Sequence, residues 1–190
     1  IDPTSSYAQA AAMAMGRAMD DVIISAALGT AYTGETGSTS TANANSIAHG
    51  SAGLTIAKLR TAKQTLDLGD VDPSIPRHII VSPKQITDLL GTTEVTSSDF
   101  NTVKALANGE VNSFLGFNFI VSNRLALSST TRSCIAFAQD GIALAVGKDV
   151  YARIDERSDK SYATQVYYCM SIGATRMEEE KVVEIQAHEA

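Results

Sequence analysis

The stretch that decides the fold runs from Asn108 to Leu125 and reads N-G-E-V-N-S-F-L-G-F-N-F-I-V-S-N-R-L. Asn108-Gly109 is one turn signal and Gly116 a second. Successive side chains of a strand point to opposite faces, so Phe117, Phe119 and Val121 fall on one side and Asn118, Ile120 and Ser122 on the other. This pattern predicts a strand over Phe117–Ser122 that buries Phe117, Phe119 and Val121 together, with Gly116 as the turn before it. The stretch carries no nucleophile, ligand cluster or phosphate-binding loop. It is suited to placing a backbone, not to chemistry.

Upstream, Asp2-Pro3 signals a helix start, since Asp caps free N–H groups and Pro suits the first turn. Ala11, Met15 or Ala14, Ala18, Val22 and Ala26 then recur at helical spacing, with Arg17, Asp20 and Asp21 on a polar side. One long helix over Thr4–Leu28 is expected, ending near Gly29. Thr33–Gly53 has no apolar period and reads as a long loop or irregular hairpin. A loop of this length suits a role between subunits as well as simple mobility. Leu54–Leu68 reads as a second helix, striped by Ile56, Leu59, Ala62 (or Lys63) and Leu66 and stopped by Gly69. After the stiff connector Val71–Pro76 come a short buried strand, His78–Val81, and a helix from Ser82-Pro83 to Leu90. Thr92–Ser98 reads as loop and Asp99–Ala107 as a short helix.

Downstream, Ser128–Ser133 reads as a polar loop, Cys134–Ala138 as a strand, and Asp140–Val146 as strand or short helix. Val150–Asp155 and Tyr162–Ile172 are strands joined by a charged turn, Glu156–Lys160, and form a long antiparallel ribbon. In the second strand Tyr162, Thr164, Val166, Tyr168, Met170 and Ile172 share a face. Lys181–Ile185 is a final strand. Helices and strands mix without β-α-β alternation, which predicts an α+β fold.

Composition sets limits on function. With 190 residues, 44% hydrophobic and 19% charged, the chain suits one domain or two intimately packed lobes. Its net charge of −6 argues against tight nucleic-acid binding by the whole surface, which needs clustered Lys and Arg. There is no apolar run of membrane-spanning length and no secretory signal pattern. The chain opens on Ile1 with a helix signal almost at once, and we expect upstream material to have been removed. Cys134 and Cys169 lie in apolar runs and are expected to be buried free thiols. His49, His78 and His188 lack partners at ligand spacing. Glu178-Glu179-Glu180 alternates faces in an extended segment and reads as a solvated charge run, not a metal site. No nucleophile elbow and no Gly-rich phosphate loop occurs, so no catalytic, cofactor-binding or metal-binding residue is assigned. Asp155, Glu156, Arg157, Asp159 and Lys160 concentrate both signs of charge on a hairpin tip. Such a tip suits plain solubility and subunit–subunit pairing equally.

The order of these elements resembles the tailed-phage major capsid protein family, the Hong Kong 97-like fold. Four passages carry the resemblance: the Ala-rich helix Tyr7–Leu28 ending in L-G-T; R-H-I-I-V-S-P-K-Q-I-T-D-L-L-G over Arg77–Gly91; G-E-V-N-S-F-L-G-F-N-F-I-V-S-N-R-L over Gly109–Leu125; and A-F-A-Q-D-G-I-A-L-A over Ala136–Ala145 with the ribbon and G-A-T-R-M-E-E-E-K-V-V-E-I after it. The resemblance implies a peripheral lobe of residues 1–50 and 147–180, holding a spine helix and the ribbon. It also implies an axial lobe of residues 51–146, joined by 181–190. It further implies a non-enzymatic subunit that assembles with copies of itself into pentamers and hexamers of an icosahedral shell. Scaffold, portal or decoration proteins are further implied partners, together with weak contact with packaged DNA, no membrane, and a place in the virion after assembly in the host bacterial cytoplasm. Arg17 and Asp20 on the helix, and Asp155, Glu156, Arg157, Asp159 and Lys160 on the ribbon, are the candidate subunit contacts. The N-terminal arm and extended loop that precede the spine helix in the family have no counterpart here. Some members cross-link a Lys to an Asn near the ribbon turn; no Asn follows Asn123, so that chemistry is not expected. The rival readings are an encapsulin-type compartment shell and an enzyme on an α+β fold.

Overall fold

The computed structural model describes residues 3–91 and 113–189. The expected loop at Thr92–Ser98, the helix at Asp99–Ala107 and the turn at Asn108-Gly109 lie outside the described residues.

The first helix, α1, covers Pro3–Leu28. A small hairpin follows, β1 (Ala31–Thr33) against β2 (Thr39–Thr41), and then the two-residue strand β3 (Ser46–Ile47). Thr33–Gly53, expected as a long loop or an irregular hairpin, is thus part of a short hairpin followed by a strap that runs on into a second sheet. Helix α2 (Ile56–Leu68) starts at Thr55, whose hydroxyl accepts the Lys58 N–H at 3.3 Å, and ends at Gly69. It buries Leu59, Ala62 and Leu66 of the expected stripe and Lys58 besides, while Ile56 is only partly buried. Strand β4 (Arg77–Val81) leads into α3 (Pro83–Leu90), where the Ser82 N–H donates to Gln85 Oε1 at 3.0 Å in a capping box.

β5 (Ser113–Phe114) and β6 (Phe117–Val121) form a hairpin with Leu115 and Gly116 as its two turn residues. Their φ angles of +53° and +85° are the positive pair that a two-residue turn between right-twisted strands requires. Nothing lies near the Cβ position of Gly116, so glycine serves the backbone angle there rather than close packing.

β7 (Leu127–Ser128) turns back on β8 (Thr131–Ala138). The stretch Ser128–Ser133, expected as loop, is therefore a tight hairpin with strand from Thr131 onward. Its polar side chains misled the reading because they are satisfied across the sheet. Arg132 bonds Glu189, and the Ser133 hydroxyl donates to Glu184 Oε1 at 2.6 Å.

β11 (Val182–His188) completes a seven-stranded mixed sheet in the order β3-β11-β8-β4-β6-β5, with β7 beside β8. β8 runs antiparallel between β4 and β11, and β4 runs parallel to β6. One face of the sheet carries Ile79, Phe117, Cys134, Ala136, Val183 and Ile185, each fully buried. They share one apolar cluster with Leu59, Ala62 and Leu66 of α2 and Ile86 and Leu89 of α3.

The expected core face of β6 is corrected in part. Phe117 is fully buried and Phe119 packs against the core while partly buried, but Val121 is 54% exposed. The reason lies in β5, which pairs only with Phe117 and Asn118. From Phe119 onward β6 is an edge among the described residues, and its covering thins toward the strand end.

β9 (Ile142–Arg157) and β10 (Ala163–Arg176) pair antiparallel as a separate two-stranded ribbon. Asp140–Val146 is thus ribbon strand from Ile142, not helix. The charged turn is shorter and later than expected. Glu156 and Arg157 are still in β9, while Ser158–Lys160 form a 3₁₀ turn closed by Ser161 and Tyr162 with φ of +53° and +60°. Tyr162 therefore leaves the face assigned to it, whereas Thr164, Val166 and Tyr168 keep it. Two register shifts near Cys169–Ile172, opposite the extra residues of β9 around Gly147 and Val150, mark bulges that bend the ribbon.

Candidate subunit-contact surface

α1 lies along β10 and leaves β9 largely open. Its expected stripe is partly buried at Ala11, Met15, Ala18, Val22 and Ala26, with Met15 rather than Ala14 on the covered side. Tyr7, Ala10 and Ala11 adjoin Thr164, Val166 and Tyr168 near the ribbon tip, and the Tyr168 hydroxyl donates to the Ala8 carbonyl at 3.4 Å. Farther along, Asp21, Val22, Ser25 and Ala26 adjoin Gly173 and Ala174. The small side chains of α1 permit this close approach. At its last turn, Ile24 and Ala27 are buried in the main core.

The end of α1 has no basic residue of its own in the last turn. Its open carbonyls are bonded instead by Arg176, which arrives from the ribbon base and is 5% exposed. The guanidinium donates to the carbonyls of Ala27 at 3.1 Å, Gly29 at 2.9 Å and Thr41 at 2.9 Å. One buried cation thereby ties helix, hairpin and ribbon together, and a cation is the favourable charge at a helix C-terminus. Nothing in the local sequence of α1 announces it.

The ribbon face toward α1 carries Leu144, Val146, Val150 and Ile154 on β9. With α1 seated on β10, these remain 41%, 52%, 39% and 50% exposed. Tyr7 and Met13 on α1 are 65% and 66% exposed. The opposite face is mixed: the Lys148 ammonium sits 4.9 Å over the Tyr151 ring, and Arg153 pairs with Asp155 at 2.5 Å. Cys169, opposite Tyr151, is only partly buried, in contrast to the expectation that both thiols are interior. Cys134 is buried, and burial pushes its thiol up to about 12.

The candidate contact residues separate into two groups. Asp155, Glu156, Arg157, Asp159 and Lys160 gather at the exposed ribbon tip. There Arg157 is bonded to Asp159, with Nε to Oδ1 at 2.9 Å. The hydrogen bond holds the Asp159 carboxyl below the usual carboxylate range and raises Arg157. Glu156 faces α1 beside Thr164. Arg17 and Asp20 sit elsewhere, exposed on α1. Asp20 borders an apolar cleft formed by Ile23, Ile24, Ile80, Ile120, Val121 and Phe137. Its neighbour Asp21 holds Arg124 in a bidentate pair, Nε to Oδ1 at 2.7 Å, which lowers the Asp21 carboxyl and raises Arg124. The pair fastens α1 to the turn after β6, a link that sequence reading missed because the partners are 103 positions apart.

Two polar networks anchor β11. Glu189 Oε2 accepts from Arg132 at 2.8 Å, and its Oε1 accepts from Gln85 at 2.7 Å and Ser82 at 2.9 Å. Together, with Arg132 first, they hold the carboxyl down at about 2. Lys58, 9% exposed, donates from Nζ to the carbonyls of His49, Ala52, Gly53 and Gln186 at 2.7–3.0 Å. His49 and His188 stack with ring centroids 5.8 Å apart, a pairing that linear spacing concealed. Among the described residues, no group of three His, Cys, Asp or Glu side chains is placed to hold a metal. No described helix is long and apolar enough to cross a membrane.

The arrangement is an architecture of struts and uncovered faces. The family model described as phage capsid protein matches residues 1–189. The chain belongs to the phage capsid protein family. This is a family of structural proteins, not enzymes. A comparison with curated proteins gave no match. Among solved structures, the chain is similar to one from Mycobacterium phage Che8 at 18% identity and a TM-score of 0.75, covering 94% of this chain and 61% of that one. The capsid structure of cyanophage P-SCSP1u matches at 18% identity and a TM-score of 0.71, covering 100% of this chain and 67% of the other. A virus-like particle from Pyrococcus furiosus matches at 17% identity and a TM-score of 0.54, covering 89% and 61%. The α+β architecture is the Hong Kong 97-like capsid fold. This phage capsid chain spans about three fifths of the length of the Che8 chain.

Proposed function

We propose that this chain is the shell-forming part of the major capsid protein of a tailed bacteriophage or prophage. Many copies tile as pentamers and hexamers around double-stranded DNA, and the protein resides in the virion after assembly in the bacterial cytoplasm. Residues 1–50 and 147–180 act as a peripheral lobe, and residues 51–146 with 181–190 as an axial lobe. The observation that carries the reading is the uncovered apolar strip Leu144, Val146, Val150 and Ile154, which lies beside α1 on the ribbon. Two-stranded ribbons are marginal alone, and apolar faces of this kind mark interaction surfaces. In the shell, the strip and the exposed α1 residues Tyr7 and Met13 meet another copy. The charged tip from Asp155 to Lys160, with Arg17 and Asp20, sets register at the rim of the contact. Closed rings of such heterologous contacts need stiff lobes, which the Arg176 and Asp21–Arg124 ties supply. Scaffold, portal and decoration proteins are further partners. Contact with the packaged DNA is weak, in keeping with a net charge of −6.

The test is electron microscopy of the full-length product expressed alone or with its neighbouring genes. Shells of uniform diameter are expected, and a well-behaved full-length monomer would overturn the proposal. The likeness to the Pyrococcus furiosus particle favours a second reading, a compartment shell that holds protein cargo. Purified particles distinguish the two by content: nucleic acid for the phage shell, a co-purifying enzyme for the compartment.

A further inference from the structure

The outer part of the ribbon keeps one unbroken register, in which Tyr151 to Arg157 on β9 stand opposite Cys169 to Ala163 on β10. α1 lies along β10, and every residue of β9 over this stretch is exposed. Among the described residues, no strand pairs with the other edge of β9. An edge of this kind presents a row of unpaired N–H and C=O groups to any strand laid beside it.

Charged side chains ordinarily guard such an edge, but the charges here are ordered so that two copies match. The stretch reads Y-A-R-I-D-E-R, with Ile154 at its midpoint. Laid antiparallel to a second copy with Ile154 opposite Ile154, it sets Arg153 against Asp155 twice and Tyr151 against Arg157 twice. Ala152 meets Glu156, so no like charges stand opposite one another. Opposite charges across neighbouring strands, and a guanidinium beside a tyrosine ring, are favourable pairs. Moving the centre to Arg153 sets two guanidiniums face to face, and moving it to Asp155 sets two carboxylates. The geometry gives the same midpoint. The bulge before Tyr151 and the 3₁₀ turn from Ser158 end the straight stretch on either side of it.

We propose that the free edge of β9 pairs with the same edge of a second copy across a two-fold axis at Ile154. The two ribbons become one antiparallel sheet in the order β10-β9-β9-β10. Directly opposite residues of an antiparallel pair point to one face, so both α1 helices lie on the same side of this sheet. Val150 and Ile154 of both copies then floor the space between the helices. The contact is isologous, unlike the closed rings of the proposed shell, in which one surface meets a different one. It also accounts for a strand of 16 residues in a two-stranded ribbon, an arrangement that is marginal until more strands join it. The pairing rests on the edge of β9 and its sequence, and its test does not require shells to form.

The test is disulfide trapping and charge exchange in the full-length protein, with Cys169→Ser throughout so that this partly exposed thiol takes no part. Ile154→Cys is expected to trap a dimer under mild oxidation, since directly opposite Cα atoms lie about 4.5–5.5 Å apart, within disulfide reach. Val150→Cys points to the same face but lies about 27 Å from its counterpart, and is expected to trap at least tenfold less. Arg153→Asp and Asp155→Arg are each expected to weaken self-association about tenfold, read by sedimentation below the concentration at which shells form. Mixed in equal amounts, the two variants are expected to associate as tightly as the parent, because each supplies the charge that the other needs. Neither variant regains its own Arg153–Asp155 ion pair, 2.5 Å apart within the subunit, so recovery in the mixture reports the contact between copies. No trapping at Ile154, equal trapping at Val150, or a mixture no tighter than either variant alone overturns the pairing. Trapping and recovery without shells would overturn the capsid proposal and leave the pairing in place.

Discussion

The central sheet and the ribbon are both built from strands rich in apolar residues, yet they end in opposite conditions. In the sheet, β8 lies between β4 and β11 and buries Cys134, Ile135, Ala136 and Ala138 completely. In the ribbon, every residue of β9 from Leu144 to Arg157 is exposed, the apolar ones included. A strand with neighbours on both edges and helices over its face uses its apolar residues for its own stability. A strand paired on one edge only, with a helix over its partner, keeps them available to another molecule. The difference separates residues that hold the subunit together from residues that hold subunits to one another.

The sharpest way to break this comparison lies within one strand, where the two conditions meet. Phe119 packs against the core and Val121 stands 54% exposed two positions later. Phe119→Asp is expected to prevent folding, because it sets an unpaired carboxylate against the core beside Ile79, its register neighbour on β4. Val121→Asp is expected to fold with a far-ultraviolet spectrum and melting cooperativity like those of the parent. Equal effects from the two would mean that β6 is not an edge beyond Phe119.

Next in size is the anchor of β11. The carboxyl of Glu189 is held at about 2, mainly by Arg132, and its side chain is 13% exposed. A depressed carboxylate contributes stability that is present above its unfolded value and lost as pH falls through its folded value. The contribution is therefore full well above pH 4.5 and gone below about pH 2, roughly 3 kcal/mol in all. Glu189→Gln should remove it at neutral pH and flatten the acid dependence of urea denaturation in that window. An unchanged acid limb in the variant would show that the Arg132 pair does not couple to folding.

How much of this was legible beforehand follows the same division. Period-two alternation located Phe117–Val121 to within a residue, and the helical stripe of α2 was right because local spacing and burial agree there. Reading failed where polar residues are satisfied by distant ones. Thr131–Ser133 looked like loop because its partners, Glu184 and Glu189, lie some fifty residues away. Arg176, Lys58 and the Asp21–Arg124 pair were missed or misplaced for the same reason, as each cation is matched to carbonyls or carboxylates from other elements. The candidate contacts at the ribbon tip were visible as a charge cluster. The apolar strip beside them was not, since nothing in the sequence says that α1 covers β10 and leaves β9 open.

That strip gives the prediction specific to assembly. Ile154→Ser removes an apolar side chain that is already 50% exposed, so its effect on the subunit is expected to stay within about 0.5 kcal/mol by denaturation. In particle assembly of the full-length protein, the same change is expected to abolish or strongly reduce shells seen by electron microscopy. A variant that loses subunit stability and shell yield together would place Ile154 in the subunit's own core and erase the contrast between sheet and ribbon.

The smallest effect is expected at the tip. Arg157 and Asp159 are bonded to each other at an exposed tip, where screening and side-chain entropy leave an ion pair little net effect. Arg157→Ala should therefore leave the melting temperature of the subunit unchanged within measurement. Charges at the rim of a contact act instead on encounter, so the variant is expected to slow shell formation at low salt and to match the parent at high salt. Light-scattering assembly kinetics across a salt series read both limbs. A rate insensitive to Arg157→Ala at every salt concentration would reduce the charged tip to a solubilising surface, with the apolar strip left as the part of the ribbon that meets another copy.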